Sequence, residues 1–208
     1  MKTTYLNLLA GALAVVAVVS CNNPSQHRDE TQAKLTTKAD DKEQISASTE
    51  SQPDTIKKSI PSETNGKIGK ANVQINYHSP GVKDRTIWGG LVAFDQVWVT
   101  GAHKATAVKF DKAVKIDGKE VAAGTYALFT IPGREEWTII LNKDYEQHLA
   151  DDYDQKKDVL RVKVKPKTLD QHQERLKYEI HATTTEEGAI TISWEKVQVS
   201  LPVSTNFY

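Results

Sequence analysis

Val114–Asn142, VKIDGKEVAAGTYALFTIPGREEWTIILN, decides the fold class. It reads as three strands joined by two tight turns. Asp117-Gly118 lies between Val114/Ile116 and Val121, and Asp-Gly tolerates the positive φ that a type I′ turn needs at both centres. Gly124 interrupts the chain before Thr125–Thr130, where Tyr126 and Leu128 fall on one face and Ala127 and Phe129 on the other. Pro132-Gly133 is the next turn signal, with Pro fixing φ and Gly free to take a left-handed value. Glu136–Asn142 is dense in Trp, Thr and Ile, residues that fit a pleated surface. No helix of ordinary length fits between those turns, so a β-meander is expected.

Strand signals continue on both sides. Val73, Ile75 and Tyr77 alternate with polar neighbours and stop at Ser79-Pro80-Gly81. Val97-Trp98-Val99 reads as a short strand and Thr106–Phe110 as another. The paired Gly89-Gly90 in apolar surroundings marks a bulge or a close backbone approach. Lys143–Asp158 is acidic and mixed, a long loop with at most one helical turn. Leu160, Val162 and Val164 then oppose Arg161, Lys163 and Lys165, whose charges suit a solvated surface or a guarded edge. Leu176/Tyr178/Ile180, Ile190/Ile192/Trp194 and Val197/Val199/Leu201/Val203 complete the pattern. About nine or ten strands with regularly spaced turns favour an all-β, antiparallel β-sandwich over a closed barrel.

The N-terminal third differs. Met1–Ser20 has one basic residue, Lys2, before the apolar run Leu6–Val19, and reads as a signal peptide. Val18-Val19-Ser20-Cys21 resembles the bacterial lipobox, with the only Cys of the chain at the cleavage point. That resemblance implies acylation of Cys21 and a stable lipid anchor at the membrane, since several acyl chains hold where one is reversible. A single Cys leaves no internal disulfide, so an exported domain has to be held by its core. Residues 21–70 are polar, carry no aromatic residue and alternate in charge, the composition of a flexible linker. As a coil of about 50 residues it would reach roughly 35–40 Å. The folded domain is expected over residues 71–208, in the bacterial cell envelope.

Over about Val73–Val203 the chain resembles a known family. The likeness is carried by Tyr77-His78-Ser79-Pro80, Arg85, Ile87–Val92, Val97-Trp98, Thr100-Gly101-Ala102, Ala123–Tyr126, Leu128–Gly133, Glu136-Trp137-Thr138, Tyr153 and Asp158–Val162. It is similar to the bacterial domain-of-unknown-function family twenty-nine-eleven. The resemblance implies a secreted or lipid-anchored envelope domain and no particular activity. Where that family commonly reads Val-Trp-Arg-Thr-Gly-Ala-Asn-Glu, this chain has Val99, His103 and Lys104 in place of the arginine, amide and carboxylate.

Charge and motifs narrow the chemistry. Basic and acidic residues number 27 each, which argues against a general nucleic-acid binder. Gly-x-Ser-x-Gly, His-Glu-x-x-His and P-loop spacings are missing, and no free Cys nucleophile remains once Cys21 is acylated. His27, His78, His103, His148, His172 and His181 lie scattered with no ligand spacing, so no metal and no cofactor is expected. Asp151, Asp152, Asp154 and Asp158 could mimic a calcium loop, but Lys157 and Lys163 occupy the positions that need Gly and Glu.

Trp137 and Trp194 share faces with aliphatic residues and read as core; Trp88 and Trp98 flank glycines. With Arg85 and His103 they are the candidate ligand-binding residues, since aromatics on a sandwich can line a pocket. Arg85 would meet an anionic ligand group or a buried carboxylate. Three functions stay open. The first is a non-catalytic binding or interaction domain for a small molecule, glycan or protein. The second is a carbohydrate-active envelope enzyme, needing two carboxylates roughly 5–10 Å apart from among Asp95, Asp111, Glu136, Asp144, Asp152 and Asp158. The third is a purely structural envelope component.

Overall fold

The computed structural model describes residues 54–207. The expected signal peptide, the acylated Cys21 and most of the expected linker lie outside them. The elements in chain order are β1 (Ile60–Ile68), β2 (Ala71–Ser79), β3 (Thr106–Phe110), β4 (Val114–Ile116), β5 (Lys119–Val121), β6 (Gly124–Ile131), β7 (Trp137–Asn142), a single 3-10 turn (Gln155–Lys157), β8 (Asp158–Val164), β9 (Lys167–Ala182) and β10 (Glu187–Ser204). They form two antiparallel sheets, ordered β1-β2-β3-β6-β7-β8 and β5-β4-β10-β9. The fold is the expected all-β sandwich.

Local chemistry explains most of these elements. Asp117 and Gly118 take φ of 50° and 73°, the primed-turn geometry that lets β4 pair with β5. Tyr126 and Leu128 point into the space between the sheets, while Ala127 and Phe129 point the other way. β10 is one long strand whose apolar phase changes from Ile190/Ile192/Trp194 to Val197/Val199/Leu201/Val203. The change falls where its pairing with β9 slips, at Glu195 with φ 55°, which is what an extra bulged residue does to a period of two.

Three expectations need correction. Val114–Asn142 is not one meander: β4–β5 belongs to the four-stranded sheet and β6–β7 to the six-stranded one. The chain crosses between sheets at Ala122-Ala123, and β6 pairs with β3 instead. Val97–Val99 is not a strand; Trp98 exchanges both backbone hydrogen bonds with Thr130 as an isolated bridge, and the Val99 carbonyl turns to accept from Thr106 N–H at 3.3 Å. The domain also starts before Ala71. β1 occupies 60–68, within the expected linker, and pairs with β2 over its whole length. It is an edge strand, so Pro61 costs it no central ladder bond.

The main core lies between the sheets. Val73, Ile75, Val108, Phe110, Leu128, Ile139, Leu141 and Leu160 meet Val114, Ile116, Leu176, Tyr178, Ile190, Ile192, Trp194 and Leu201. Each fully buried aliphatic chain contributes about 1.5–3 kcal/mol by leaving water. A smaller cluster, Val99, Ala105, Ala127, Phe129 and Ile140, sits on the outer face of β6–β7. Ala150 and Tyr153 of the 143–157 loop pack against it. Among the described residues no helix is long and apolar enough to cross a membrane.

Candidate functional site

At one end of the sandwich the chain leaves a cleft of about 820 Å³. Five segments meet there: residues 57–61, the end of β2 (His78, Pro80, Gly81), the 85–92 loop, the 98–103 turn and the tip of the 143–157 loop. Trp98 and Trp194 lie on its inner side, their rings nearly parallel at 19° with centroids 5.7 Å apart. Arg85, Trp98 and His103 all line it.

The 98–103 turn is held from both sheets. Trp98 Nε1 donates to the Gly101 carbonyl at 3.1 Å. The Thr100 carbonyl accepts from Tyr178 Oη of β9 at 2.8 Å and from Thr106 Oγ1 of β3 at 3.0 Å. Burial pushes the Tyr178 hydroxyl far above its ordinary pKa, so it stays a donor at any ordinary pH. Thr100 and His103 both take positive φ, 52° and 65°. Asn, Asp and His are the non-glycine residues most often found there. A histidine at 103 therefore suits this backbone while presenting an imidazole to the cleft.

Trp88 is placed differently. It does not line the cleft but stands behind it, edge-on to Trp98, Trp137 and Trp194 with centroids 4.9–5.9 Å away. It faces a small hollow of about 180 Å³ with Phe94, Arg134 and Pro166. Arg85 is exposed at the rim and meets no carboxylate: Nε donates to Val82 O at 3.0 Å and Nη2 to Gly81 O at 2.5 Å. Those bonds fix its fork at the rim.

Sequence reasoning missed four contributors. His78 lies 25 positions from His103, yet their rings meet edge to face at 5.4 Å. Burial, then the nearby His103 and Lys104 charges, hold the His78 imidazole below its ordinary pKa. Lys57 and Lys58 line the cleft from the segment read as linker. Arg175 keeps them there: its guanidinium grips the Asp54 carboxylate and donates to the carbonyls of Ile56 at 2.5 Å and Lys58 at 2.8 Å. Leu149 comes from the long loop, with φ 56° and its N–H bonded to the His103 carbonyl at 2.8 Å. Lys57, Lys58 and Leu149 sit in irregular segments that carry no periodic signal, and His78 reads within the alternation of β2 as one more polar neighbour.

No Asp or Glu lines the cleft. Of the carboxylates considered for catalysis, Glu136, Asp144 and Asp158 instead pair with Lys163, Lys157 and Arg161, and Asp111 binds the Asn72 backbone and side chain. Among the described residues no three His, Cys, Asp or Glu side chains come together as a metal site.

The pattern of a family described as "Protein of unknown function (DUF2911)" matches residues 59–203. The chain belongs to this family. No curated protein and no solved structure matches it. The DUF2911 match opens one residue before β1, so the family unit includes that strand. Lys57 and Lys58 fall just outside the match, while Arg85, Trp98, His78 and His103 fall within it.

Proposed function

We propose that this chain is a lipid-anchored bacterial envelope protein whose DUF2911 domain is a non-catalytic binding domain. The observation that carries the binding role is the cleft beside Trp98. It is concave, floored by aromatic rings and rimmed by a few polar groups, the common make-up of a small-molecule site. Two features speak for binding without chemistry. The cleft has no carboxylate to act as acid, base or nucleophile, and among the described residues the one hydroxyl side chain that lines it, Ser59, makes no hydrogen bond to His78 or His103. The anchor rests on the lipobox reading of Val18–Cys21.

Each half has its own test. A fragment library screened by ligand-observed NMR against the full chain is expected to give hits that vanish in Ala102→Trp, which fills the mouth beside Gly101 and His103. Hits unaffected by that bulk would refute the cleft as the site. Metabolic labelling with a clickable fatty acid is expected to mark the wild type and not Cys21→Ala. An unlabelled wild type would remove the anchor and leave the cleft reading standing.

A further inference from the structure

Charge around the cleft is unbalanced in a selective way. Lys57, Lys58, Arg85, His78 and His103 line it and no acid does, although the whole chain is neutral. Close by, the fold neutralises its cations with care. Lys83 is shared between Asp54 and Glu174, and Arg175 holds Asp54. Among the described residues no salt bridge involves Lys57, Lys58 or Arg85. Asp54, three residues before Lys57, is used to pin the segment that carries the lysines, not to pair with them.

That pinning sets the position of the backbone from which Lys57 and Lys58 project before anything binds. Arg175 bonds Asp54, Ile56 O and Lys58 O, and Lys83 Nζ bonds Asp54 O at 2.5 Å. A charge held in place beforehand costs less ordering entropy on binding than one on a free chain. Opposite the lysines lies apolar surface. Leu91 is 51% exposed and Leu149 38% exposed, and both line the cleft beside Trp98. Two large apolar side chains held open to water at one concavity mark a contact surface.

We infer that the cleft takes a small organic anion: one carboxylate, sulfonate or phosphate group on an apolar body. This rests on the binding reading above and names its ligand class. The charged end lies among Lys57, Lys58, Arg85 and the His78–His103 pair. The body lies on Trp98, Leu91 and Leu149. A neutral sugar fits less well, because the rim is rich in donors and poor in side-chain acceptors. A long polyanion fits less well too, because the cationic rim is confined to one pocket of a neutral chain.

Two dyes sharing one ring system separate charge from apolarity. 8-Anilinonaphthalene-1-sulfonate carries the anion; N-phenyl-1-naphthylamine is the same skeleton without it. Titrated into the full-length chain and followed by fluorescence, the sulfonate is expected to bind about tenfold more tightly, a difference of about 1.4 kcal/mol. The double reversal Lys57→Glu/Lys58→Glu is expected to weaken the sulfonate about tenfold and the amine less than about twofold, as two exposed charge contacts would do. Lys119→Glu, an exposed reversal on β5, is expected to change neither. Laurate is expected to displace the sulfonate, and a short single-stranded oligonucleotide is not.

Equal affinity for the two dyes would overturn the inference, as would an unchanged sulfonate affinity in the double reversal or displacement by the oligonucleotide. If neither dye binds while fragment hits still vanish in Ala102→Trp, the anion is wrong and the cleft stands. If the fragments fail as well, both readings fall.

Discussion

The aromatic cluster of this domain has a closed side and an open side, made by the same strands. On the closed side Trp194 is 1% exposed and Trp137 3% exposed, locked behind Trp88 and the facing sheets. On the open side Trp98 stacks on that same Trp194 and looks into the cleft beside Leu91, Leu149 and His103. The closed side is built from apolar contacts between regular strands. The open side is built from five irregular segments, held by side chains of both sheets and ringed by unpaired cations. The sandwich supplies rigidity and the segments at its end supply the chemistry.

Breaking the closed side should cost most. Trp194 fills the space between the sheets and its Nε1 donates to the Glu174 carbonyl at 3.3 Å. Trp194→Ala removes that packing and leaves a cavity, an expected loss of about 3–5 kcal/mol in chemical denaturation. Trp98 loses its stacking partner, so the cleft should lose its probe binding in parallel. A loss below about 1 kcal/mol would mean that the two sheets close over the gap, and that the core is less tightly specified than its packing implies.

A smaller break lies at the seam that holds the long loop on. Asp158 has a side chain only 7% exposed. It accepts from Tyr153 Oη at 2.6 Å, Arg161 Nη1 at 2.9 Å and Asn142 Nδ2 at 2.8 Å. Burial, then the Asp158 hydrogen bond and charge, push the Tyr153 hydroxyl up to about 12. Asp158→Ala strands these donors and should cost about 2 kcal/mol, since hydrogen bonds to a charged group are worth roughly 1.5–3 kcal/mol. Hydrogen exchange should rise over residues 143–157 before it rises in β6 and β7. Asp158→Asn keeps the shape but gives up the charge and one of the two accepting oxygens, so it should keep part of the network and fall between wild type and Ala.

How far sequence reached divides along the same line. The Asp117-Gly118 turn was legible because positive φ is a steric demand that few residues meet. The jump from Trp194 to Val197 breaks a period of two and reads as two separate runs, where the structure has one bulged strand, β10. The sheet assignment of β4–β5 was not, because Ala122-Ala123-Gly124 looks the same whether the next strand joins this sheet or the facing one. β1 was missed because its inward positions are Ile60, Ser62, Thr64, Gly66 and Ile68; three of the five are small or polar, so the alternation carries no hydrophobic signal. Arg85, Trp98 and His103 were recognisable by type and by neighbouring glycines. Their companions His78, Lys57 and Leu149 reach the cleft through pairings that no local pattern encodes.

The subtlest effect sits at His78, on the boundary between the two sides. Burial comes first, and the positive charges of His103 and Lys104 follow, in keeping its imidazole neutral below the ordinary 6.5. Lys57, Lys58 and Arg85 line the cleft with it, and Lys104, Tyr145 and Glu146 line a second hollow that it also borders. In the unfolded chain His78 takes its proton near 6.5; in the folded chain it resists. Between those two values the unfolded state binds more protons, so stability falls as pH drops through about 6.5. His78→Gln should flatten that part of the pH–stability curve. Anion binding should move the other way. A sulfonate in the cleft offsets the neighbouring positive charges, raises the His78 pKa and draws a proton in on binding, so affinity for it should rise as pH falls through the histidine range. His78→Gln should lose that part of the rise. Opposite pH trends for stability and affinity, both reduced by one substitution, follow only if this imidazole faces the bound charge. A rise in affinity that the Gln variant keeps in full would move the charge away from His78 and towards Lys57 and Lys58 alone.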